Sequence, residues 1–212
     1  MVRVKICGIT KLEDAKLAVE LGAHCIGLNF YPQSPRSITP AAAAELVDRL
    51  PPFVVTAGVF VNWEAEPVVA LCRALHLSAA QLHGDETARM ADAVAEHVQV
   101  IKAMRLGQGS ATPAYAKFRS AAAFLIDAAQ PGQFGGTGSL ANWHLARTAA
   151  QAHRVILAGG LTPENVGEAI RVVRPYAVDV TSGVESRPGR KDTAKMRAFF
   201  DEVARANRDL FS

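Results

Sequence analysis

At 212 residues, half of them apolar and a fifth charged, the chain has the size and composition of a globular domain with a substantial core, which excludes a disordered protein. A net charge of +3 without any dense run of lysine or arginine points away from nucleic acid and membrane as partners, and suits an anionic small molecule. No apolar run approaches the roughly 18 residues of a spanning helix, and since a strand is read from Arg3 onward, no secretory leader is expected. Cys7, Cys25 and Cys72 form neither a disulfide framework nor a zinc pair, so a cytoplasmic protein with reduced thiols is expected.

In chain order, short β-rich runs alternate with longer helical patterns. Arg3 to Cys7 reads as strand one, leading through Gly8-Ile9-Thr10 into a helix from Leu12 to Leu21 that Gly22 stops. Strand two, His24 to Phe30, enters the polar loop Tyr31 to Ile38, after which Thr39 caps a helix with Pro40 at its first position. Strand three is Phe53 to Val61, with Asn62 as the cap of a helix reaching Leu75. Strand four, Ala79 to His83, is followed by a helix from Glu86 to Glu96, and strand five is Val98 to Met104. Only a weak helix, Pro113 to Ser120, precedes strand six, Ala122 to Asp127. The glycine-rich loop Ala128 to Gly138 then leads to a helix ending near Gln151. Strand seven, Arg154 to Ala158, precedes Gly159-Gly160 and a helix with Thr162 at its cap and Pro163 at its first position. Strand eight, Ala177 to Val180, leads through a long loop to a last helix, Asp192 to Ala206.

Eight strand and helix units of about 25 residues each imply a parallel sheet closed as a single-domain α/β (β/α)8 TIM barrel over residues 1–212. An open dinucleotide-binding sheet would carry G-x-G-x-x-G after strand one, and none is there. In such a barrel the chemistry lies where strands end. That selects Cys7, Asn29 with Arg36 in its loop, Asn62, Gln81 and His83, Asp127, Gly159 and Gly160, and Asp179 with Ser182 and Gly183.

A lone cysteine on a strand is more often a small buried hydrophobe than a nucleophile or base. Asp127 ends the apolar run Ala122 to Ile126, a costly place for a carboxylate unless it is paired or used in proton transfer; capping the glycine loop is the alternative. Together, Cys7 and Asp127 would supply a base and an acid on opposite sides of the barrel mouth. The loops after strands seven and eight are where barrels build phosphate sites from main-chain N–H groups, which makes Gly159, Gly160, Ser182 and Gly183 phosphate-binding candidates. Arg36 offers a planar fork for a carboxylate.

Seven strings carry a resemblance: Lys5-Ile6-Cys7-Gly8-Ile9-Thr10; Ser34-Pro35-Arg36; Gly58-Val59-Phe60-Val61-Asn62; Gln81-Leu82-His83-Gly84; Gly135-Gly136-Thr137-Gly138; Leu157 to Leu161 with Pro163-Glu164-Asn165-Val166; and Ser182-Gly183-Val184-Glu185 with Pro188-Gly189 and Lys191-Asp192. In this order they resemble the phosphoribosylanthranilate isomerases. The resemblance implies an intramolecular oxidoreductase-type (aldose–ketose) isomerase of tryptophan biosynthesis. Its reaction is the Amadori rearrangement of N-(5-phosphoribosyl)anthranilate to 1-(2-carboxyphenylamino)-1-deoxyribulose 5-phosphate. It further implies Cys7 as general base, Asp127 as general acid, Arg36 on the anthranilate carboxylate and the loops around Gly160 and Gly183 on the phosphate. Lys5, Gln81, His83 and Asp179 complete the expected pocket, with Lys5 a layer below Cys7 on the same strand face and a candidate for favouring its thiolate. No metal or cofactor is expected, and a monomer is expected rather than a homodimer.

Two strings depart from the family. Leu140-Ala141-Asn142-Trp143 stands where F-D-W is common and lacks its acid, and Thr181 precedes Ser182 where a serine is frequent. Metal-dependent phosphosugar epimerases need several histidine and aspartate ligands at strand ends, where only His83 is clearly placed. The histidine-pathway isomerases pair two aspartates, and position 7 is a cysteine. A silent phosphosugar-binding protein would need neither Cys7 nor Asp127.

Overall fold

The computed structural model describes residues 1–105, 115–127 and 140–211. Eight parallel strands, β1 (Arg3–Ile6), β2 (Cys25–Asn29), β3 (Val55–Phe60), β4 (Ala79–Leu82), β5 (Gln99–Arg105), β6 (Ala121–Asp127), β7 (Val155–Ala158) and β8 (Ala177–Val180), pair in sequence order and close into a ring. The closing seam sets Lys5 of β1 opposite Asp179 of β8, and on its other side Lys5 stands opposite Cys25 of β2. Helices α1 (Leu12–Glu20), α2 (Pro40–Val47), α3 (Ala65–Ala74), α4 (Ala88–Ala95), α5 (Leu140–Ala152), α6 (Val166–Val173) and α7 (Thr193–Phe211) follow the strands.

Strand residues of alternating parity feed two cores. Ala57, Ala79, Ile101, Ala103, Ala123, Leu125, Ile156, Ala158 and Ala177 pack inside the barrel. Outward residues such as Ile6, Ile26, Leu28, Phe60, Leu82, Ile126, Leu157 and Val178 join helix residues such as Ala15, Leu46, Val68, Ile170 and Phe199 in the larger outer core. With side chains as small as alanine in the lumen, the charged residues Lys5 and Asp179 have room to meet inside it.

Several helix starts differ from the sequence reading. Asn62 is not the cap of α3, which Glu64 precedes; Asn62 takes a left-handed φ of 55° and accepts from the Asp85 main-chain N–H at 2.7 Å. Glu86 lies before α4 rather than in it, accepting from the N–H groups of Asn62 (3.0 Å) and Gly84 (2.9 Å), while Thr87 caps the helix. The loops after β3 and β4 are thereby laced together. Thr162 and Pro163 form a turn ahead of α6, whose cap is Asn165. Of the weak helix expected over 113–120, one 3-10 turn at Tyr115–Lys117 is present, packed by Tyr115 on Phe124, and residues 113 and 114 lie outside the described residues. The long loop after β8 holds an unanticipated hairpin, β9 (Glu185–Arg187) with β10 (Arg190–Lys191).

Candidate active site

Lys5 and Cys7 share the inward face of the first strand and its extension, because side chains two apart on a strand point the same way. A Cβ at Gly27 of β2 would lie 2.8 Å from Cys7 Sγ and 3.1 Å from Lys5 Nζ, so thiol and ammonium are neighbours across that one glycine. Lys5 Nζ reaches Asp179 Oδ1 at 2.9 Å with both residues buried. Burial works against this ammonium, but the Asp179 carboxylate and the neighbouring thiols outweigh it and raise its pKa, keeping Lys5 charged. Burial pushes the Cys25 thiol, one layer down, up to about 12, which leaves it protonated.

The main chain of Cys7 is pinned at both ends: its N–H donates to Val180 O at 2.9 Å and its carbonyl accepts from Lys191 Nζ at 2.7 Å. Lys191 also donates to Thr181 O at 3.0 Å and to Glu185 Oε1 at 3.1 Å, which uses all three ammonium protons. Glu185 in turn accepts from Arg36, with Nε 3.0 Å from each carboxylate oxygen and Nη2 2.8 Å from Oε2. Burial opposes the Glu185 carboxylate, yet the hydrogen bond from Arg36 and the charge of Lys191 hold its pKa below the usual range. Arg36 reaches this place by lying across Gly8, the residue after Cys7. Gly8 has a φ of 70°, and a Cβ there would come within 2.9 Å of Arg36 Cδ.

The loops after β7 and β8 meet each other. Gly159 and Gly160 both take left-handed φ values, 89° and 66°, and Asn165 fastens their loop by donating to Gly160 O (2.9 Å) and accepting from the Thr162 N–H (2.8 Å). Ser182–Val184 forms one 3-10 turn, and Gly183 is so close to Leu161 O that a side chain there would overlap it. Among the described residues the Gly160 N–H donates to no protein acceptor.

Asp127 ends β6 on the face that Ala123 and Leu125 turn inward. It lines a cavity of ≈ 340 Å³ with His83, Glu86, Lys102 and Phe118. Gln81 is buried on β4 and its Nε2 lies 2.7 Å from His83 Nδ1; its Oε1 has no hydrogen-bond partner among the described residues. In the cavity wall Lys102 is buried against Glu86 at 2.9 Å. The Gly135-Gly136-Thr137-Gly138 loop and the Asn142 side chain lie outside the described residues, while Trp143 packs in the outer core.

The ring order arranges these groups along one arc: Asp127 on β6, glycine loops after β7 and β8, Cys7 after β1, Arg36 after β2. Asp127 and Cys7 stand three of eight steps apart, nearly opposite across the mouth. Lys5 and Asp179 lie beneath this arc as a buried pair. Residue types alone did not single out Glu185, Lys191 or Gly27; an acid within a loop rich in arginine and lysine was the available signal for the first.

The chain is similar to known proteins over nearly its full length. The family model described as N-(5'phosphoribosyl)anthranilate (PRA) isomerase matches residues 4–202. A relative from Trichlorobacter lovleyi, an N-(5'-phosphoribosyl)anthranilate isomerase, is 49% identical over 207 residues, covering 97% of this chain and 100% of its own. The crystal structure of phosphoribosyl anthranilate isomerase from Thermotoga maritima superposes with a TM-score of 0.90 at 42% identity, over 96% of this chain and 99% of that one. A structure of such an isomerase in complex with reduced 1-(o-carboxyphenylamino)-1-deoxyribulose 5-phosphate gives 0.86 at 42% identity, with the same coverage. A Thermotoga maritima isomerase is also described as dimeric. By family match, identity and barrel together, this chain belongs to the N-(5'-phosphoribosyl)anthranilate isomerase family, enzymes of tryptophan biosynthesis.

Proposed function

We propose that Cys7 and Asp127 carry out the Amadori rearrangement of N-(5-phosphoribosyl)anthranilate as base and acid. Asp127 as carboxylic acid gives its proton to the furanose ring oxygen, and the C1–O bond breaks to leave a protonated Schiff base. The electron demand of that cation acidifies the C2 hydrogen, which Cys7 takes as thiolate. The resulting enolamine tautomerises to the ketone by losing its O–H proton and gaining one at C1. The net proton passed from Asp127 to Cys7 returns through solvent before the next turnover. Lys5, held charged, stands beside this thiol across Gly27.

The observation that supports this reading is the order along the arc. An acid, two loops suited to an anion, a thiol and a guanidinium follow one another around the mouth in the sequence that a phosphate, a ribose and a carboxylate would need. Gly159, Gly160, Ser182 and Gly183 would hold the phosphate through main-chain N–H groups. Arg36 would hold the anthranilate carboxylate, and Gln81 Oε1, without a hydrogen-bond partner among the described residues, suits a sugar hydroxyl. All of these residues belong to one barrel domain over residues 1–212, so the site is complete in a monomer of 22.6 kDa, working in the cytoplasm where its thiols stay reduced. Light scattering that gave twice that mass would end the monomer reading without touching the site.

Purified protein given freshly made phosphoribosylanthranilate should extinguish its fluorescence. Cys7→Ser and Asp127→Asn should each lower kcat by about 10² to 10⁴ while leaving the far-ultraviolet circular dichroism unchanged. An inert wild-type protein, or two active variants, would overturn the assignment.

A further inference from the structure

We propose that Glu185 is a positioning residue for substrate recognition. It grips the Arg36 guanidinium along its Nε and Nη2 side, so that the edge formed by Nη1 and Nη2 is the one turned to the anthranilate carboxylate. The inference rests on the reading of Arg36 as the carboxylate-binding group.

The geometry carries it. A guanidinium has five N–H donors in a fixed plane, and Glu185 takes the Nε proton and one Nη2 proton through contacts of 2.8 and 3.0 Å. Among the described residues Nη1 makes no hydrogen bond. Nη1 with the second Nη2 proton forms the end-on pair of parallel donors that a carboxylate takes in bidentate fashion. The Glu185 side chain is 3% exposed and that of Arg36 22%, so the carboxylate is buried while the arginine side chain keeps access to solvent.

Three further contacts fix Glu185 itself. Lys191 Nζ donates to its Oε1 at 3.1 Å, the Gly189 N–H to the same oxygen at 3.3 Å, and Lys195 Nζ to its main-chain carbonyl at 2.9 Å. Two cations, Arg36 and Lys191, share the one carboxylate. The cluster therefore holds one positive charge in excess, which a substrate carboxylate at Arg36 would balance.

Steady-state kinetics of full-length Glu185→Gln test the proposal, using N-(5-phosphoribosyl)anthranilate and N-(5-phosphoribosyl)aniline, the same phosphosugar without the carboxylate. KM for the anthranilate substrate should rise by about tenfold or more with kcat within about threefold, and the kinetics with the aniline substrate should not change. Adding Glu185→Gln to Arg36→Ala should cost nothing further. Glu185→Asp, which keeps the charge and draws it back by one methylene, should fall between wild type and Glu185→Gln. Equal losses on both substrates, an unchanged or lowered KM for the anthranilate substrate, or additive losses in the double variant would overturn the positioning role while the activity itself stood. An inert wild-type protein would overturn the function reading, and this inference with it.

Discussion

A single methyl group on Gly27 would press against Cys7 Sγ, Cys7 Cα and Lys5 Nζ at 2.8 to 3.1 Å, closer than atoms pack without moving. Since both ends of the Cys7 peptide are pinned, the thiol is the part that must give. Gly27→Ala is therefore expected to lower kcat by at least about tenfold with little change in KM, a split read from saturation kinetics. Gly183→Ala should do the reverse. Its new Cβ would overlap Leu161 O and force apart the loops after β7 and β8, raising KM and weakening inhibition by inorganic phosphate; kinetics unchanged by this variant would remove Gly183 from the phosphate role. Cys7, Asp127 and Arg36 stood out in the sequence as candidates because each ends a strand or sits in the loop after one. Gly27 was not, since its meaning depends on which side chains of β1 face it. Glu185 was visible within a recognisable string, yet its partner Arg36 lies 149 positions away and only the folded ring brings them together.

At the level of elements, all eight strands could be read from hydrophobic pattern and turn residues, with no end off by more than two positions. Helix starts were less legible, because polar residues that suit a cap can equally serve a neighbouring loop. Asn62 and Glu86 do so, tying the β3 and β4 loops together around the buried Lys102. The β9–β10 hairpin was missed because strands of three and two residues have no alternation to show. Burial opposes the Glu86 carboxylate, but the hydrogen bonds from Lys102 and the Asn62 N–H win and lower its pKa from 4.5. A carboxylate whose folded pKa is depressed stabilises the protein above its unfolded value and loses that contribution as pH falls through the lower folded value. Melting temperature should thus decline below about pH 4.5, and Glu86→Gln should flatten that decline. Lys102→Met, which strands the buried carboxylate, is expected to cost about 3 to 5 kcal/mol in urea unfolding at neutral pH.

On the scale of the whole molecule, the ring joins parts of the chain that are distant in sequence. Asp127 and the glycine loops proposed for the phosphate come from β6 to β8, Cys7 and Arg36 from the ends of β1 and β2, so the proposed site straddles the seam where the barrel closes. Lys5 with Asp179, Arg36 with Glu185 and Lys191 with the Cys7 carbonyl all cross that seam. On the far side, between β4 and β5, Lys102 and Glu86 cross the opposite one. Both edges of each half of the barrel are therefore marked with charge that finds a partner in the other half. Fragments 1–97 and 98–212, each inert alone, should recover isomerase activity when refolded together. Recombined fragments carrying Lys102→Met and Asp179→Asn should recover far less, since a half-barrel would then have lost the charges that tell it which edge to join.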